Sequence, residues 1–235
     1  MTSNFPRRLQ PRASASDDAA DARLRTLLTR QIAETGREPS LAELAELSGL
    51  GVGGLRKALR RLEARHGLLL HPRGDKAWVV HPFSLYPASC WVQGRDKGWW
   101  ATCLYCAFGV CGCVGEDVVI TARFGGEAEA AEYRVQDGRL APTSDLFHFL
   151  TPPRRWWDNV IYACATFQPF RSESDIDAWC ARHGAARGYV IPVERLFDFA
   201  LDWYRPHAGD WRARSVEDKR ACFGRHGLTG PFWEI

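Results

Sequence analysis

At 235 residues, with 46% hydrophobic and 12% aromatic content, the chain can bury one core of ordinary size and a small accessory one. A formal net charge of +3, from 31 basic against 28 acidic residues, excludes a global field for nucleic acid or an anionic membrane. No stretch approaches the roughly 18 uninterrupted apolar residues of a membrane span, and the arginine-bearing N-terminus has no apolar leader segment. A cytoplasmic protein with no membrane partner is therefore expected.

Residues 1–20, rich in Ser, Ala, Asp and Arg without periodicity, are expected to form a disordered tail. From Asp21, the residues Leu24, Leu27, Leu28 and Ile32 recur at helical spacing, and Gly36 supplies a stop. Ser40 and Glu43 then form a capping box ahead of Leu41, Leu44, Ala45 and Leu47, which predicts a short second helix. A third helix carries Leu55, Leu59 and Leu62 on one face and Arg56, Lys57, Arg60 and Arg61 on others. The segments LLLHP and AWVVHP flank the turn Arg73-Gly74-Asp75-Lys76 and predict a hairpin. Three helices and a β-wing make a winged-helix-like helical domain over 21–81, whose arginines suit DNA contact and a solvated face equally.

From Trp78 onward, strand-like and helix-like pieces alternate irregularly, which predicts an α+β core domain over 82–205 with a mostly antiparallel sheet. Within it, Ser172 and Asp175 cap one helix, YVIPV reads as a strand, and ERLFDFALDWY as a further helix. Residues 206–235, where Ser215 opens SVEDKRACFGRHG, predict a C-terminal helical extension packed on the core.

Four of the eight cysteines fall in Trp99–Cys113, WWATCLYCAFGVCGC. Thiols gathered in apolar sequence, in a chain too long for a disulfide-stapled scaffold, point to free or metal-binding cysteines. On a helix, Cys106 and Cys113 lie about 20° apart and Cys103 about 60° from Cys106, while Cys111 points away. Gly109, Gly112 and Gly115 leave the end of that helix open. The CxxC at Cys103 and Cys106 is half of a zinc or redox motif, but neither a second pair at zinc spacing nor a βαβ context accompanies it. Cys90, Cys180 and Cys222 read as small buried hydrophobes.

The order of several short motifs resembles the organomercurial (alkylmercury) lyase family: Pro82-Phe83-Ser84, an aromatic helix with Cys106-Ala107, then Cys164 in VIYACATFQPF, then an acidic helix ending at Trp179. The resemblance runs from the helical domain to about Tyr204, and it implies an alkylmercury lyase-type core. The family cleaves the carbon–mercury bond by protonolysis, giving a hydrocarbon and Hg(II) in mercury detoxification and resistance. It implies that Cys106 and Cys164 are the catalytic, mercury-binding thiolates, the second placed on a strand. Mercury is substrate and product, so no resident cofactor is expected. The implied partners are the organomercury substrate, small cellular thiols and a mercuric reductase accepting Hg(II); no nucleic-acid partner is expected.

Two positions depart from the family. Gly109 stands where the family carries the aspartate that shuttles the proton and contacts the metal, and Phe124 stands where it carries a structural cysteine. Glu116, Asp117 or Asp158 would have to supply the acid, or one of Cys103, Cys111 and Cys113 would serve as donor or third ligand; helical geometry favours Cys113 as that ligand. The aromatics Trp99, Trp100, Tyr105, Phe108, Trp156 and Trp157 are candidates for a pocket wall or for core packing. Three functions follow: a lyase, a non-catalytic thiol trap for Hg(II) or Cu(I), and a metal-responsive regulator using the winged helix on DNA.

Overall fold

The computed structural model describes residues 15–235; the expected tail lies outside the described residues up to residue 14. The first helix, α1 (Ala15–Thr35), begins six residues before the predicted start, and Asp17 and Asp18 place negative charge in its first turn, where the helix dipole favours it. It is followed by α2 (Leu41–Ser48) and α3 (Val52–Ala64). The capping box forms as read: the Glu43 N–H donates to Ser40 Oγ at 3.2 Å, and the Ser40 N–H donates to the Glu43 carboxylate at 2.7 Å.

The basic face of α3 is matched to acids. Arg61 and Arg65 converge on the buried Asp21 of α1 at 2.7 and 2.9 Å, while Arg56 and Arg60 each reach Asp75 of the hairpin turn at 3.0 Å. These arginines tie α1, α3 and the hairpin together.

After the hairpin β1 (Leu69–Leu70) and β2 (Ala77–Val80) come β3 (Phe83–Ser84), β4 (Cys90–Gln93) and β5 (Gly98–Ala101), then α4 (Leu104–Val114). Next are β6 (Val118–Arg123), β7 (Ala130–Gln136), β8 (Arg139–Leu140), β9 (Leu146–Phe149), α5 (Val160–Ala165), β10 (Gln168–Phe170) and α6 (Glu173–His183). The chain ends with β11 (Tyr189–Pro192), α7 (Val193–Tyr204), α8 (Pro206–Gly209) and α9 (Val216–Arg225).

An eight-stranded antiparallel sheet runs in the order β1-β2-β3-β5-β4-β6-β7-β8, and a second sheet places β9 between β10 and β11. The antiparallel α+β core is thus as expected. The hairpin belongs to the same sheet, because Val80 pairs with Phe83, so the expected division between 81 and 82 falls between two bonded strands. Cys164 lies on helix α5 rather than on a strand. Asn159 Oδ1 accepts the Tyr162 N–H at 3.0 Å and caps this short helix, and the strand starts only at Gln168.

Helix α4 is the centre of the molecule. Its residues Leu104 to Cys111 are all buried, as an all-round apolar helix requires. It packs between α7 and strands β3 to β6, with α1 and α8 also against it. The segment Trp99–Cys113 is therefore split: Trp99 and Trp100 lie in strand β5, and Cys103 holds the N-cap position of the helix.

Candidate functional site

Cys106 sits in the first turn of α4, where unpaired backbone N–H groups and the helix dipole favour a thiolate. Helix α5 brings Cys164 to it, and the junction of β2 and β3 brings His81; one ligand atom of each lies within 4.8 Å of the others, and all three residues are buried. The Thr102 hydroxyl donates to Cys106 Sγ at 3.3 Å, and the Tyr204 hydroxyl lies 3.5 Å from the same sulfur. Cys103, at the N-cap of α4, is buried beside both Cys106 and Cys164.

The three thiols divide their protons unequally. Burial opposes charge on Cys106, but donation from Cys103, Cys164 and Thr102, with His81 nearby, holds its pKa well below that of a free thiol. Burial and donation to its neighbours push Cys103 well up. Cys164 is also pushed well up, despite its bond from Cys103, because it donates to Cys106 and is buried. Of the three, Cys106 is therefore the sulfur that ionises most readily. Burial lowers the pKa of His81 and Arg25 adds to the effect, while Cys106 opposes it, and neither of its ring nitrogens has a hydrogen-bond partner. An unpaired ring nitrogen beside two sulfurs leaves this corner with unused ligand capacity.

A cavity of about 140 Å³ adjoins the cluster, lined among others by His81, Tyr105, Trp156, Trp157, Phe167 and Tyr204. An apolar cavity of roughly 150 Å³ holds a benzene ring in another protein. Of the six aromatics expected as wall residues, Tyr105, Trp156 and Trp157 line it. The others pack elsewhere: Trp99 donates to the Ile32 carbonyl at 2.8 Å, Trp100 packs on Trp91, and Phe108 meets Tyr133 and Phe197.

The structure brings Cys106 and Cys164 together and leaves Cys113 apart. Seven residues return a helix to the same face but rise about 10 Å along its axis, and Cys113 Sγ donates instead to the Tyr204 carbonyl at 3.6 Å. Cys111 donates to the Ala107 carbonyl at 3.4 Å. None of the expected acids joins the cluster. Asp158 pairs with Arg155 at 3.0 Å, Asp117 accepts the Asp137 N–H at 2.8 Å, and Glu116 lies against Gly94. Phe124 follows the end of β6 beneath the Arg171 guanidinium.

Sequence reasoning missed His81, Thr102 and Tyr204. Thr102 had a local signal, four residues before Cys106 at the helix entry. His81 had only its place beside Pro82-Phe83-Ser84, and Tyr204 none, being 98 residues from Cys106.

No curated protein sequence matches the chain. Among solved structures, the crystal structure of the mercury-bound form of MerB2 superposes with a TM-score of 0.62 at 15% identity, covering 83% of this chain and 100% of that one. The family model described as alkylmercury lyase, MerB, matches residues 83–205, more than half of the chain. That segment runs from strand β3 through α7 and contains both Cys106 and Cys164, and the chain belongs to the alkylmercury lyase family.

Proposed function

We propose that this protein is an organomercurial lyase in which Cys106 and Cys164 bind mercury and a proton cleaves the carbon–mercury bond. The observation that carries the reading is the pairing of these two buried sulfurs, from separate helices, beside an aromatic cavity of aryl size. Mercury is very soft, so sulfur outcompetes oxygen and nitrogen for it. The Cys106 thiolate attacks the metal and displaces the carrier as a thiolate; Cys164 then passes its proton to that departing thiolate and becomes the second sulfur ligand. Two thiolates raise electron density on mercury and make the bound carbon basic. Its protonation releases hydrocarbon and leaves Hg(II) on the two sulfurs, from which small cellular thiols carry it to a mercuric reductase.

The three N-terminal helices, in this reading, are a winged-helix element serving as a lid on the thiol site rather than a DNA reader. Supporting this, Arg25 of α1 donates to the His81 carbonyl, and Arg56, Arg60 and Arg61 are engaged with Asp75 and Asp21. No helix of the described residues is long and apolar enough to cross a membrane.

A second reading, a thiol trap that binds Hg(II) without cleavage, is favoured by one observation: among the described residues, no carboxylate joins the cluster. Purified protein with excess small thiol, given phenylmercury, decides between them. A lyase releases benzene and loses that activity in Cys106→Ser and in Cys164→Ser. A trap takes up mercury stoichiometrically and releases no hydrocarbon.

A further inference from the structure

Gly109 lies within α4, at a position where a glycine costs roughly 1 kcal/mol relative to alanine. Its backbone is not among the glycines with positive φ, so conformation does not demand it. Space does. A Cβ built there would stand 2.3 Å from Cδ2 and 2.7 Å from Cγ of Tyr204, and 2.8 Å from Cβ of Pro82. The aromatic ring of Tyr204 thus fills the volume into which a side chain at 109 would project.

The same ring carries its hydroxyl to 3.5 Å from Cys106 Sγ, and Tyr204 also lines the aromatic cavity. Tyr204 accordingly touches both the sulfur of Cys106 and the space for the organic group. Tyr105 and His207 pack on the ring, each with a centroid separation of 5.2 Å, and hold it in place. Of the groups around Cys106, Tyr204 alone meets both conditions of a substitute for the missing carboxylate: it occupies the place of the side chain absent at 109, and it presents an O–H to the sulfur that receives mercury.

We propose that Tyr204 replaces the aspartate absent at position 109 and delivers the proton that cleaves the carbon–mercury bond. The proposal rests on the lyase reading. In the step, the proton on Tyr204 Oη passes to the mercury-bound carbon, and the electron pair of the carbon–mercury bond becomes the new carbon–hydrogen bond. Hg(II) stays on Cys106 and Cys164, and the phenolate recovers its proton from water entering through the cavity. Gly109 and Tyr204 are then a matched pair: the glycine makes room for the phenol that does the work of the carboxylate.

The test uses full-length protein with phenylmercury, following mercury uptake and benzene release separately. Tyr204→Phe keeps the ring over Gly109 and removes only the hydroxyl. It is expected to bind mercury with unchanged stoichiometry and to release benzene about 100-fold more slowly or worse, the usual contribution of a positioned general acid. Benzene release at the wild-type rate by Tyr204→Phe overturns the proposal and leaves the lyase reading standing. Mercury uptake without benzene by the wild type overturns both. If Tyr204→Phe fails to fold, the double variant Gly109→Asp/Tyr204→Ala decides, since it exchanges the phenol for a carboxylate in the vacated space. Benzene release by that variant supports the proposal, and mercury bound without release overturns it.

Discussion

Arg25 of the first helix donates to the main-chain carbonyl of His81, the residue whose ring faces the two cysteines. The guanidinium is fully buried and has no carboxylate partner among the described residues; it also donates to the Gly67 carbonyl and to the Thr29 hydroxyl. Burial lowers its pKa to about 10, with partial compensation from Cys113 and Tyr204. A planar fork serving three acceptors is specific to arginine. Arg25→Met leaves buried carbonyls unpaired and is expected to cost about 3 kcal/mol in urea unfolding. Arg25→Lys is expected to recover less than half of that loss.

The cavity is flanked by cations. Arg25 and Arg214 donate to carbonyls rather than to carboxylates, and Lys219, Arg65 and Arg212 also line it, the last two paired with acids. No carboxylate lines the cavity among the described residues. An aryl mercurial bearing a carboxylate is therefore expected to show a lower KM than neutral phenylmercury, with the advantage shrinking as salt is added. Steady-state kinetics of the two compounds at low and high ionic strength check this.

His148 of β9 is fully buried, and its Nε2 accepts the Gly188 N–H at 2.9 Å, which requires the neutral ring. Burial, with Arg187 adding, pushes its pKa down to about 4. An unfolded histidine titrates near about 6.5, so between these values the unfolded chain binds the extra proton. The stabilisation is fully present above about pH 6.5 and is lost as the pH falls through about 4. Urea midpoints measured across that interval are expected to fall for the wild type, and less steeply for His148→Gln.

Cys103 and Cys113 differ in place and so in expected effect. Cys113→Ala is expected to leave mercury affinity unchanged, because its sulfur bonds the Tyr204 carbonyl and not the cluster. Cys103→Ala removes a donor to Cys106 and is expected to raise the Cys106 pKa, read from the pH dependence of thiolate ultraviolet absorbance.

Elements closed by local chemistry were legible. The capping boxes at Ser40 and Ser215 and the cap at Ser172 form as the residue types predict, because each involves groups three residues apart. The strand that the resemblance implied for Cys164 is a helix; the overlooked signal was Asn159, three residues before Tyr162. Gly109 was readable as a gap, but its cause was not. The ring that fills it comes from the end of α7, and His81 reaches Cys106 only through the sheet, relationships made by packing and invisible to spacing. Helical angle alone likewise put Cys113 beside Cys106, because an angle carries no information about distance along the axis.

The central claim is that the paired sulfurs serve protonolysis and not storage alone. Phenylmercury incubated with the protein and excess small thiol in D₂O, with the vapour taken for mass spectrometry, tests it most directly. A working lyase yields benzene carrying one deuterium, and Cys106→Ser yields none. Stoichiometric mercury on the wild-type protein with no benzene released would contradict it.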